Sequence, residues 1–545
     1  MKKYLALLLA LAMSFTLLAG CGSETNDNSQ NTNSGTSNVS DNGNGGTTSS
    51  GKNELTIGVS SDIGSMYPFG SAVSSVKAKR LLAYEMLFWQ DEDRNLIPSI
   101  GKSVESKGNG VYEVEIFDYI TDSEGNHLTA EDVIFSLELY MASGSNAATY
   151  ATLSDYRATG DYTVQFTFEP ESIGQYKVLL SNLYCISKAA WENSPDEMAT
   201  YPVGTGGYTL NTAESVQGAT YVFEKRDDYW QTDEAYINGY NSHNFDKVTV
   251  RVITDTSTMA IALQKGEIDY SGDISANDMH LFTDENGDAL EGYSKISGVN
   301  NSFTHLIFNC GPNSPCSDIN VRRAICYAID AAACCYNAYG VFGEVCNTAT
   351  NPNLGDSGLE FGHDNYFPYD VDYAKQLLEQ SSYQGETIQM LVQPVAVVSS
   401  SAPLIQAYCA AIGINIELLE YDMAQYRAIT GDESGLQYDI ELYGSAGGSD
   451  DYVFRSIMEL DTKNYSNGET MLHIEDAKLQ ELYDDVASVE RNSPEAVQAY
   501  LDYLEENCYV YGLYYSDYTY IARSDLTNLR ATIYLGTLFT GFERN

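Results

Sequence analysis

Basic side chains are scarce in this 545-residue chain, and so are tryptophan and histidine. Lys and Arg total 29 against 76 Asp and Glu, which gives a formal charge of −47. Contact with nucleic-acid phosphates needs lysine and arginine, so the charge excludes nucleic acid as a partner. The acidic surface would instead favour cationic ligands and repel anionic ones. The six histidines are dispersed and predict no metal site.

Motifs of known catalytic sites are also missing. No histidine begins a His-Glu-x-x-His motif, and the body has no Gly-x-Ser-x-Gly elbow. Gly101-Lys102-Ser103 resembles the end of a P-loop, but Leu96 stands where that motif needs its first glycine. The sequence therefore predicts no catalytic residue, no metal and no cofactor, and indicates a protein that is not an enzyme. A secreted hydrolase is the competing hypothesis from another class.

Long apolar runs are absent except at the N-terminus. Lys2 and Lys3 precede an apolar run over 5–18, which is shorter than the roughly 20 residues that a membrane span needs. Leu18-Ala19-Gly20-Cys21 follows and resembles a lipobox. We predict a lipoprotein signal peptide over 1–20 and a lipid, with palmitate among its acyl chains, on Cys21. The mature chain is then extracytoplasmic and anchored by diacylglycerol to the cell membrane.

The segment after the anchor is polar. Residues 23–52 are rich in Ser, Asn, Gly and Thr and cannot bury enough apolar surface to fold, so 21–52 is predicted to be a flexible, lipid-anchored linker. About 490 of the 545 residues remain. A body of that size exceeds a single core and predicts two or three domains.

The chain has ten cysteines, and nine remain if Cys21 carries the lipid. They are Cys185, Cys310, Cys316, Cys326, Cys334, Cys335, Cys346, Cys409 and Cys508. The gaps between them do not match Cys-x2-Cys zinc spacing. An odd number leaves at least one free thiol if the others pair. Disulfides and buried free thiols both stay open as interpretations.

Hydrophobic periodicity predicts strands that alternate with helices. Alternating residues predict strands over 55–59, 111–116, 161–168, 221–225, 248–253 and 414–418. Helical spacing predicts helices over 77–89, from a capping box at 129–132, over 317–340, from 370, and over 404–412. The alternation indicates an α/β architecture.

Several segments, in order, resemble one known family. They are Tyr112 to Leu137 with its Leu-Thr-Ala-Glu-Asp-Val run, Pro202-Val-Gly-Thr-Gly-Gly-Tyr208, Asp228-Tyr-Trp230, Leu263 to Asp269, and Val321-Arg-Arg-Ala324. These are similar to signatures of the family 5 extracytoplasmic solute-binding proteins of peptide, nickel and oligosaccharide ABC transporters. The family loop has proline where this chain has Gly207. We expect the three loop glycines to permit positive φ and close strand approach rather than to bind phosphate.

The resemblance implies a two-lobed, periplasmic-binding-protein-like clamp of type II with an extra subdomain. Lobe I is expected over 53–80, 202–300 and 506–545, the subdomain over 81–201, and lobe II over 301–505. It implies a monomer that captures oligopeptides or dipeptides by lobe closure and delivers them to membrane ABC permease subunits. An oligosaccharide-binding member and a peptide-sensing signalling lipoprotein are the alternatives. The presence of only three tryptophans favours peptides over sugars.

The resemblance also suggests where a peptide ammonium would bind. Peptide-binding members use the aspartate of a Gly-Trp-x-x-Asp-Tyr segment, and the equivalent place here is 443–452. Asp451, which precedes Tyr452, is the first candidate ligand contact, and Asp450 is the alternative. The tryptophan of that segment is missing, and an ordinary loop acid is the competing interpretation.

Three aromatic residues near the start of the body complete the predicted site. Tyr67, Phe69 and Trp89 are expected near the cleft, where aromatic rings could contact a ligand. Core packing is the alternative interpretation for all three.

Overall fold

A computed structural model gives the fold of most of the body. It describes residues 53–62, 65–69, 79–91, 95–143, 153–169, 173, 176–298, 302–351, 363–364, 366–422, 425–426, 429–430, 438–444, 472–487, 494–532 and 536–545. The predicted signal peptide, Cys21 and the linker lie outside the described residues. No helix within these ranges is both long and apolar enough to span a membrane.

The described residues form strands of two to eight residues, with helices between them. The strands are β1 Glu54–Val59, β2 Glu85–Met86, β3 Phe88–Gln90, β4 Leu96–Pro98, β5 Gly101–Gly108, β6 Val111–Ile116, β7 Leu153–Gly160, β8 Thr163–Phe168, β9 Tyr184–Cys185, β10 Tyr208–Leu210, β11 Thr220–Lys225, β12 Lys247–Val252, β13 Tyr270–Ser271, β14 Tyr293–Gly298, β15 Phe303–Phe308, β16 Gly343–Val345, β17 Thr387–Val392, β18 Asn415–Glu420, β19 Ile440–Gly444, β20 Val510–Ser516, β21 Tyr518–Arg523, β22 Leu526–Thr527, β23 Ala531–Thr532, β24 Gly536–Thr537 and β25 Glu543–Arg544. The helices are α1 Ala130–Ala142, α2 Tyr176–Asn182, α3 Lys188–Asn193, α4 Thr256–Gln264, α5 Ile319–Ala328, α6 Ala331–Tyr339, α7 Val371–Glu379, α8 Ala396–Ser399, α9 Ala402–Ile412, α10 Ala477–Ala487 and α11 Pro494–Glu506.

Two large mixed sheets organise the chain. The first has the order β10-β11-β12-β1-β13-β21-β14, with β1 parallel to both β12 and β13. The second has the order β16-β20-β15-β19-β17-β18, with β17 parallel to both β18 and β19. The remaining pairs in both sheets are antiparallel. Each sheet packs on its own hydrophobic core, so the sheets belong to two lobes.

A third, antiparallel sheet in the order β5-β6-β8-β7 packs on α1 and shares the core of the first lobe. The capping box predicted at Thr129 opens α1. The Asp132 carboxylate accepts hydrogen bonds from the Thr129 amide at 2.8 Å and from its hydroxyl at 2.9 Å. Asp132 also accepts from the Lys188 amide at 2.8 Å, which ties α3 to α1. The acid therefore has a structural role in this sheet-and-helix unit.

Among the described strands, the chain passes between the two large sheets twice. It leaves β14 at Gly298 and enters β15 at Phe303, and it returns from β20 at Ser516 to β21 at Tyr518. Gly298 pairs with Tyr518 on one side, and Phe303 pairs with Tyr515 on the other, so the two crossings lie side by side. The segment 506–545, expected in lobe I, contains β20, which pairs in the second sheet. We therefore propose Asp517 as the boundary, and the other domain boundaries stay predictions.

Two helix predictions were wrong in detail. The segment 77–89 is not a continuous helix, because a turn follows Arg80 and β2 and β3 come next. Its side chains from 79 to 89 are buried on every side, so apolar spacing could not distinguish a helix from strands. The predicted helix over 317–340 is two helices, α5 and α6. Asp318 caps α5 instead of Ser317, accepting from the Asn320 amide at 2.8 Å.

The other local predictions agree with the structure. Asp370 caps α7 with its carboxylate on the Tyr373 amide at 2.9 Å. Gly340 ends α6 with φ at 60°, and Gly413 ends α9 with φ at 97°. Positive φ is costly for a side chain with a Cβ atom, which explains glycine at both ends. The predicted strands at 55–59, 111–116 and 414–418 correspond to β1, β6 and β18.

The nine cysteines of the body are free thiols, and all nine are buried. Buried free thiols were one of the two interpretations left open by the sequence, and the structure favours this one. Their burial raises the pKa of several of these thiols, Cys409 to about 12 among them. In this reduced form the cysteines pack as small apolar side chains of the core.

Candidate functional site

Both large sheets turn the carboxyl ends of their parallel strands toward the double crossing. In the first lobe β21 begins at the crossing and runs antiparallel to β13, so β13 and its parallel neighbour β1 end there. In the second lobe β15 begins at the crossing and runs antiparallel to β19, so β19 and its parallel neighbour β17 end there. Ligands of open α/β sheets bind beyond the carboxyl ends of the strands. The space beside the crossing is therefore the candidate site.

The wall of the first lobe is acidic. Asp273, just beyond β13, accepts hydrogen bonds from the Ser60 amide at 2.6 Å and from the Ser60 hydroxyl at 2.9 Å. These bonds hold the ends of β1 and β13 together. Asp62, two residues after Ser60, is exposed and accepts a hydrogen bond from the Tyr221 hydroxyl. Carboxylates at this position suit a ligand that carries an ammonium group.

One amino group lies among these acids. Lys79 is fully buried, and its Nζ donates to the Ser61 carbonyl at 3.4 Å. Burial lowers the pKa of Lys79 to about 8, while the carboxylates of Asp273 and Asp62 act in the opposite direction. Sequence analysis missed Lys79 and Asp273. The position of Asp273 directly after a short strand was the available signal, whereas Lys79 lay within a segment assigned to a helix.

The wall of the second lobe is neutral where the structure describes it. Gln393, just beyond β17, accepts from the Gly444 amide at 3.0 Å and thereby joins the ends of β17 and β19. A Cβ atom on Gly444 would lie 2.4 Å from Cγ2 of Val398, so only glycine fits there. His305 on β15 is buried between the rings of Phe303 and Tyr443, at centroid distances of 4.4 and 5.4 Å.

The acidic candidates of the second lobe follow this wall in the sequence. Asp450, Asp451 and Tyr452 lie in the segment that begins after Gly444, the last residue of β19. All three lie outside the described residues, so their roles stay predictions.

The three aromatic candidates of the first lobe have packing contacts. Phe69 is fully buried and contacts the rings of Tyr67, Tyr140 and Trp191 at centroid distances of 5.9, 5.0 and 5.8 Å. Tyr67 is half-buried at the edge of this cluster. The structure thus brings Tyr67 and Phe69 together, and a ligand role for either stays a prediction.

Trp89 has a different set of neighbours. It is 2% exposed and stacks on Tyr240 at 6.4 Å, and the Arg530 guanidinium lies over the same Tyr240 ring at 5.4 Å. Its indole Nε1 is buried and has no hydrogen-bond partner among the residues that the structure describes. These contacts give Trp89 a role in packing, and a ligand role for it also stays a prediction.

The glycine-rich loop has a structural explanation. A Cβ atom at Gly204 would lie 2.3 Å from the carbonyl oxygen of Ala83, and one at Gly206 would lie 2.7 Å from the carbonyl oxygen of Leu82. Close approach is therefore the reason for these two glycines, as expected. The expectation of positive φ was wrong, because none of the three loop glycines has positive φ.

Buried Arg226 is hydrogen-bonded to the backbone of this loop. Its Nη1 donates to the Gly206 carbonyl at 3.1 Å, and its Nη2 donates to the Asp122 carbonyl at 2.8 Å. Next to it the fully buried Glu85 accepts from the Tyr229 hydroxyl at 2.6 Å and from the Trp230 indole at 2.8 Å. Burial raises the pKa of Glu85, and these hydrogen bonds and Arg226 oppose the shift. The Asp-Tyr-Trp motif therefore closes a buried polar network rather than a ligand site.

The paired arginines of the second lobe are structural as well. Arg322 is 4% exposed and donates to the backbone carbonyls of Cys316, Asn507 and Cys508, so its contacts fix the local backbone. Arg323 donates to the Glu506 carbonyl at 2.8 Å.

A separate groove of about 450 Å³ lies on the second lobe. It is lined by Arg323, Tyr327, His363, Phe367, Tyr373, Asp502, Glu505 and Glu506. Burial raises the pKa of Glu505, against the effect of nearby His363. Among the described residues there is no group of three or more His, Cys, Asp or Glu side chains placed to hold a metal ion.

Comparison with known families decides the assignment. Residues 95–466 match the model of the bacterial extracellular solute-binding proteins, family 5. The chain belongs to this family. The two-lobed α/β fold and the order of motifs agree with that membership. Proteins of this family bind solutes outside the cytoplasm for ABC transporters.

Individual relatives are distant. The chain is 24% identical over 375 residues to a probable peptide ABC transporter periplasmic-binding protein, y4tO, of Sinorhizobium fredii, covering 65% of this chain and 68% of that protein. It is 24% identical over 314 residues to the oligopeptide-binding protein AppA of Bacillus subtilis, covering 56% and 54%. It is 27% identical over 240 residues to heme-binding protein A of Haemophilus influenzae, covering 43% and 40%. The last two alignments span about half or less of those relatives.

Solved structures agree on the fold. The substrate-binding protein CtaP of Listeria monocytogenes superposes with a TM-score of 0.74 at 20% identity, covering 90% of this chain and 99% of that one. Bacillus subtilis AppA in complex with a nonapeptide superposes with a TM-score of 0.67 at 19% identity, covering 90% and 99%. Identities this low establish the two-lobed architecture and leave the ligand undetermined.

Proposed function

We propose that this protein is the solute-binding lipoprotein of an ABC importer that captures oligopeptides or dipeptides. The two lobes close on the ligand, and the closed form delivers it to the permease subunits in the membrane. One observation carries the proposal: both sheets direct the carboxyl ends of their parallel strands to the double crossing, where a peptide would lie between two walls of strand ends.

The peptide class is supported by charge and by the relatives. A peptide ammonium needs a carboxylate, and the chain supplies Asp273 and Asp62 on one wall and predicted Asp451 or Asp450 after β19 on the other. The names of y4tO and of AppA describe peptide binders. The 43 tyrosines offer flat faces and hydroxyl groups for peptide contacts, with Tyr452 and Tyr67 as candidates.

The lipid anchor on Cys21 is part of the proposal. It would hold the binding protein near its permease and raise the effective concentration of the complex. In cells fed a clickable palmitate analogue, the chain should become labelled and should fractionate with membranes. Cys21→Ala should abolish both properties, and labelling that survives this substitution would contradict the anchor.

A thermal-shift screen tests the ligand class. Protein lacking residues 1–52 is mixed with di- to octapeptides, cello- and xylo-oligosaccharides, glutathione, heme and nickel chelates. A ligand that binds only the folded state stabilises it by about 2.7 kcal/mol at a hundredfold excess over Kd. We expect peptides to raise the Tm. This shift should be lost in Asp451→Asn or, if Asp450 holds the ammonium group instead, in Asp450→Asn.

The matched control is Asp227→Asn, which neutralises an exposed acid of the first lobe and should keep the shift. A shift with sugars, heme or nickel chelates and none with peptides would overturn the peptide assignment while leaving the two-lobed fold intact. Peptide uptake that is unchanged in cells lacking this protein, despite peptide binding in vitro, would favour the signalling alternative.

A further inference from the structure

Two buried thiols of the second lobe are in contact. Sγ of Cys326 lies 3.4 Å from Sγ of Cys508, and both side chains are completely inaccessible to solvent. Cys326 lies on α5, and Cys508 lies between α11 and β20, so the two residues are 182 positions apart in sequence. The fold, not local sequence, brings them together.

The position of Cys508 is fixed by Arg322, one helical turn before Cys326 on α5. The Arg322 Nε donates to the Cys508 carbonyl at 2.9 Å, and its Nη2 donates to the Asn507 carbonyl at 2.6 Å. Its Nη1 donates to the Cys316 carbonyl at 2.7 Å. One guanidinium thus holds the chain segment of Cys508 against the helix of Cys326. The contact between the sulfurs is therefore a consequence of a well-bonded backbone arrangement.

Disulfide formation needs only a small movement from this arrangement. The sulfur atoms of a disulfide are about 2.05 Å apart, so they would approach each other by roughly 1.4 Å. Disulfides persist in proteins outside the cytoplasm, which is where family 5 solute-binding proteins act.

We propose that Cys326 and Cys508 are a disulfide-forming pair, oxidised by exchange with a disulfide such as oxidised glutathione. One cysteine loses its proton and attacks a sulfur of the oxidised glutathione, and one glutathione thiolate leaves. The second cysteine loses its proton and attacks the mixed disulfide, and a second glutathione thiolate leaves. The two cysteine sulfurs are oxidised, and one molecule of oxidised glutathione is reduced to two thiols.

The exchange takes place while the chain folds. In the folded protein both sulfurs are shielded from solvent, and burial raises the pKa of Cys326, which disfavours the reactive thiolate. During refolding the thiols are accessible until the core of the second lobe closes. The bond would then join α5 to the segment that leads into β20.

The disulfide should affect stability and leave ligand binding unchanged. Cys508 precedes the start of β20 at Val510, whereas the crossing to the first lobe follows the end of β20 at Ser516. The bond is therefore remote from the candidate site. A cross-link that closes a long loop constrains the unfolded chain, and for a body of this size the expected increase in Tm is roughly 4 °C.

Refolding in a redox buffer tests the proposal. The reduced, unfolded chain is refolded with oxidised and reduced glutathione, unfolded again, and treated with N-ethylmaleimide. We expect two fewer maleimide additions than in the fully reduced control, and a digest should contain a cross-linked peptide that joins Cys326 to Cys508. Protein refolded with dithiothreitol instead of the glutathione buffer should have a Tm about 4 °C lower.

Two variants separate this pair from the other thiols. In Cys326→Ala, N-ethylmaleimide should label all remaining cysteines, and the Tm should be the same after oxidising and after reducing refolding. Cys409→Ala, which removes another buried cysteine of the same core, should keep the cross-link and the difference in Tm between oxidising and reducing refolding. Complete labelling of the wild-type chain after oxidative refolding, or a cross-link to a different cysteine, would overturn the proposal even if a variant failed to fold.

Discussion

Substitution of Gly207 by alanine should destabilise the first lobe. A Cβ atom at Gly207 would lie 2.4 Å from Cγ and Cδ2 and 2.5 Å from Cε1 of His243, about 1 Å inside normal contact with the face of the ring. The ring cannot move aside easily, because Tyr229 and Tyr208 pack against it at centroid distances of 4.5 and 5.3 Å. Overpacking of this kind costs about 1–3 kcal/mol.

Part of that cost is offset in the unfolded chain. Alanine restricts the unfolded backbone more than glycine does, which stabilises the folded state by about 0.4–1 kcal/mol. The expected net loss is about 1–2 kcal/mol, or roughly 1–2 °C of Tm for a body of this size. Differential scanning calorimetry can measure this shift. Gly160→Ala is the control, because a Cβ atom there would meet only Thr163 atoms at 3.6 and 3.8 Å.

A double-mutant cycle with His243→Ala identifies the cause. Removal of the imidazole creates space for the new methyl group, so Gly207→Ala should cost little in that background, with a coupling energy of about 1 kcal/mol or more. The same steric argument predicts that a proline at position 207, which also carries a Cβ atom, would clash with the ring of His243. Equal Tm values for wild type and Gly207→Ala, or strict additivity with His243→Ala, would refute the reasoning.

Three further predictions concern buried polar groups. Burial lowers the pKa of His305 from 6.5 to about 3. The stability that the neutral imidazole contributes is therefore fully present above pH 6.5 and is lost as the pH falls. At pH 5 the free energy of unfolding is lower by roughly 2 kcal/mol. His305→Phe should therefore reduce the loss of Tm between pH 7.5 and 5, whereas His280→Phe, at an exposed site, should not. Arg322→Met should destabilise the protein by about 3 kcal/mol in urea unfolding because several buried carbonyls lose their donor. Arg323→Met should cost less than about 1 kcal/mol. Equal effects would contradict the structural role of Arg322. Asp132→Ala should cost about 2 kcal/mol by the same assay because the amides of Thr129 and Lys188 lose their acceptor, and an unchanged midpoint would contradict the capping box.

Local rules predicted much of the fold because short-range chemistry determines those features. The capping box at Thr129, the cap at Asp370 and the stop at Gly413 each depend on residues within four positions of one another. Half-buried strands such as β6 alternate in exposure, and so their sequence alternates too. The family resemblance then supplied the two-lobed architecture, which no local pattern encodes.

Other features depend on long-range contacts and could not be predicted. In 79–89 every side chain is buried, and the choice between helix and strand is made by pairing with β9 and β4. The same applies to Arg322, since its acceptors at Asn507 and Cys508 are more than 180 positions away. Lys79, which donates to Ser61 just after β1, and Asp273, just after β13, lie on the same wall because β1 and β13 are neighbours in the sheet.

Small-angle X-ray scattering with and without a peptide tests the central claim most directly. The claim is that two lobes close on a peptide whose ammonium is held by acids at the strand ends. Protein lacking residues 1–52 should show a smaller radius of gyration with a peptide that produces a thermal shift, and no change with the same peptide acetylated at its N-terminus. An unchanged radius with every binding peptide, or equal compaction by the acetylated form, would contradict the account.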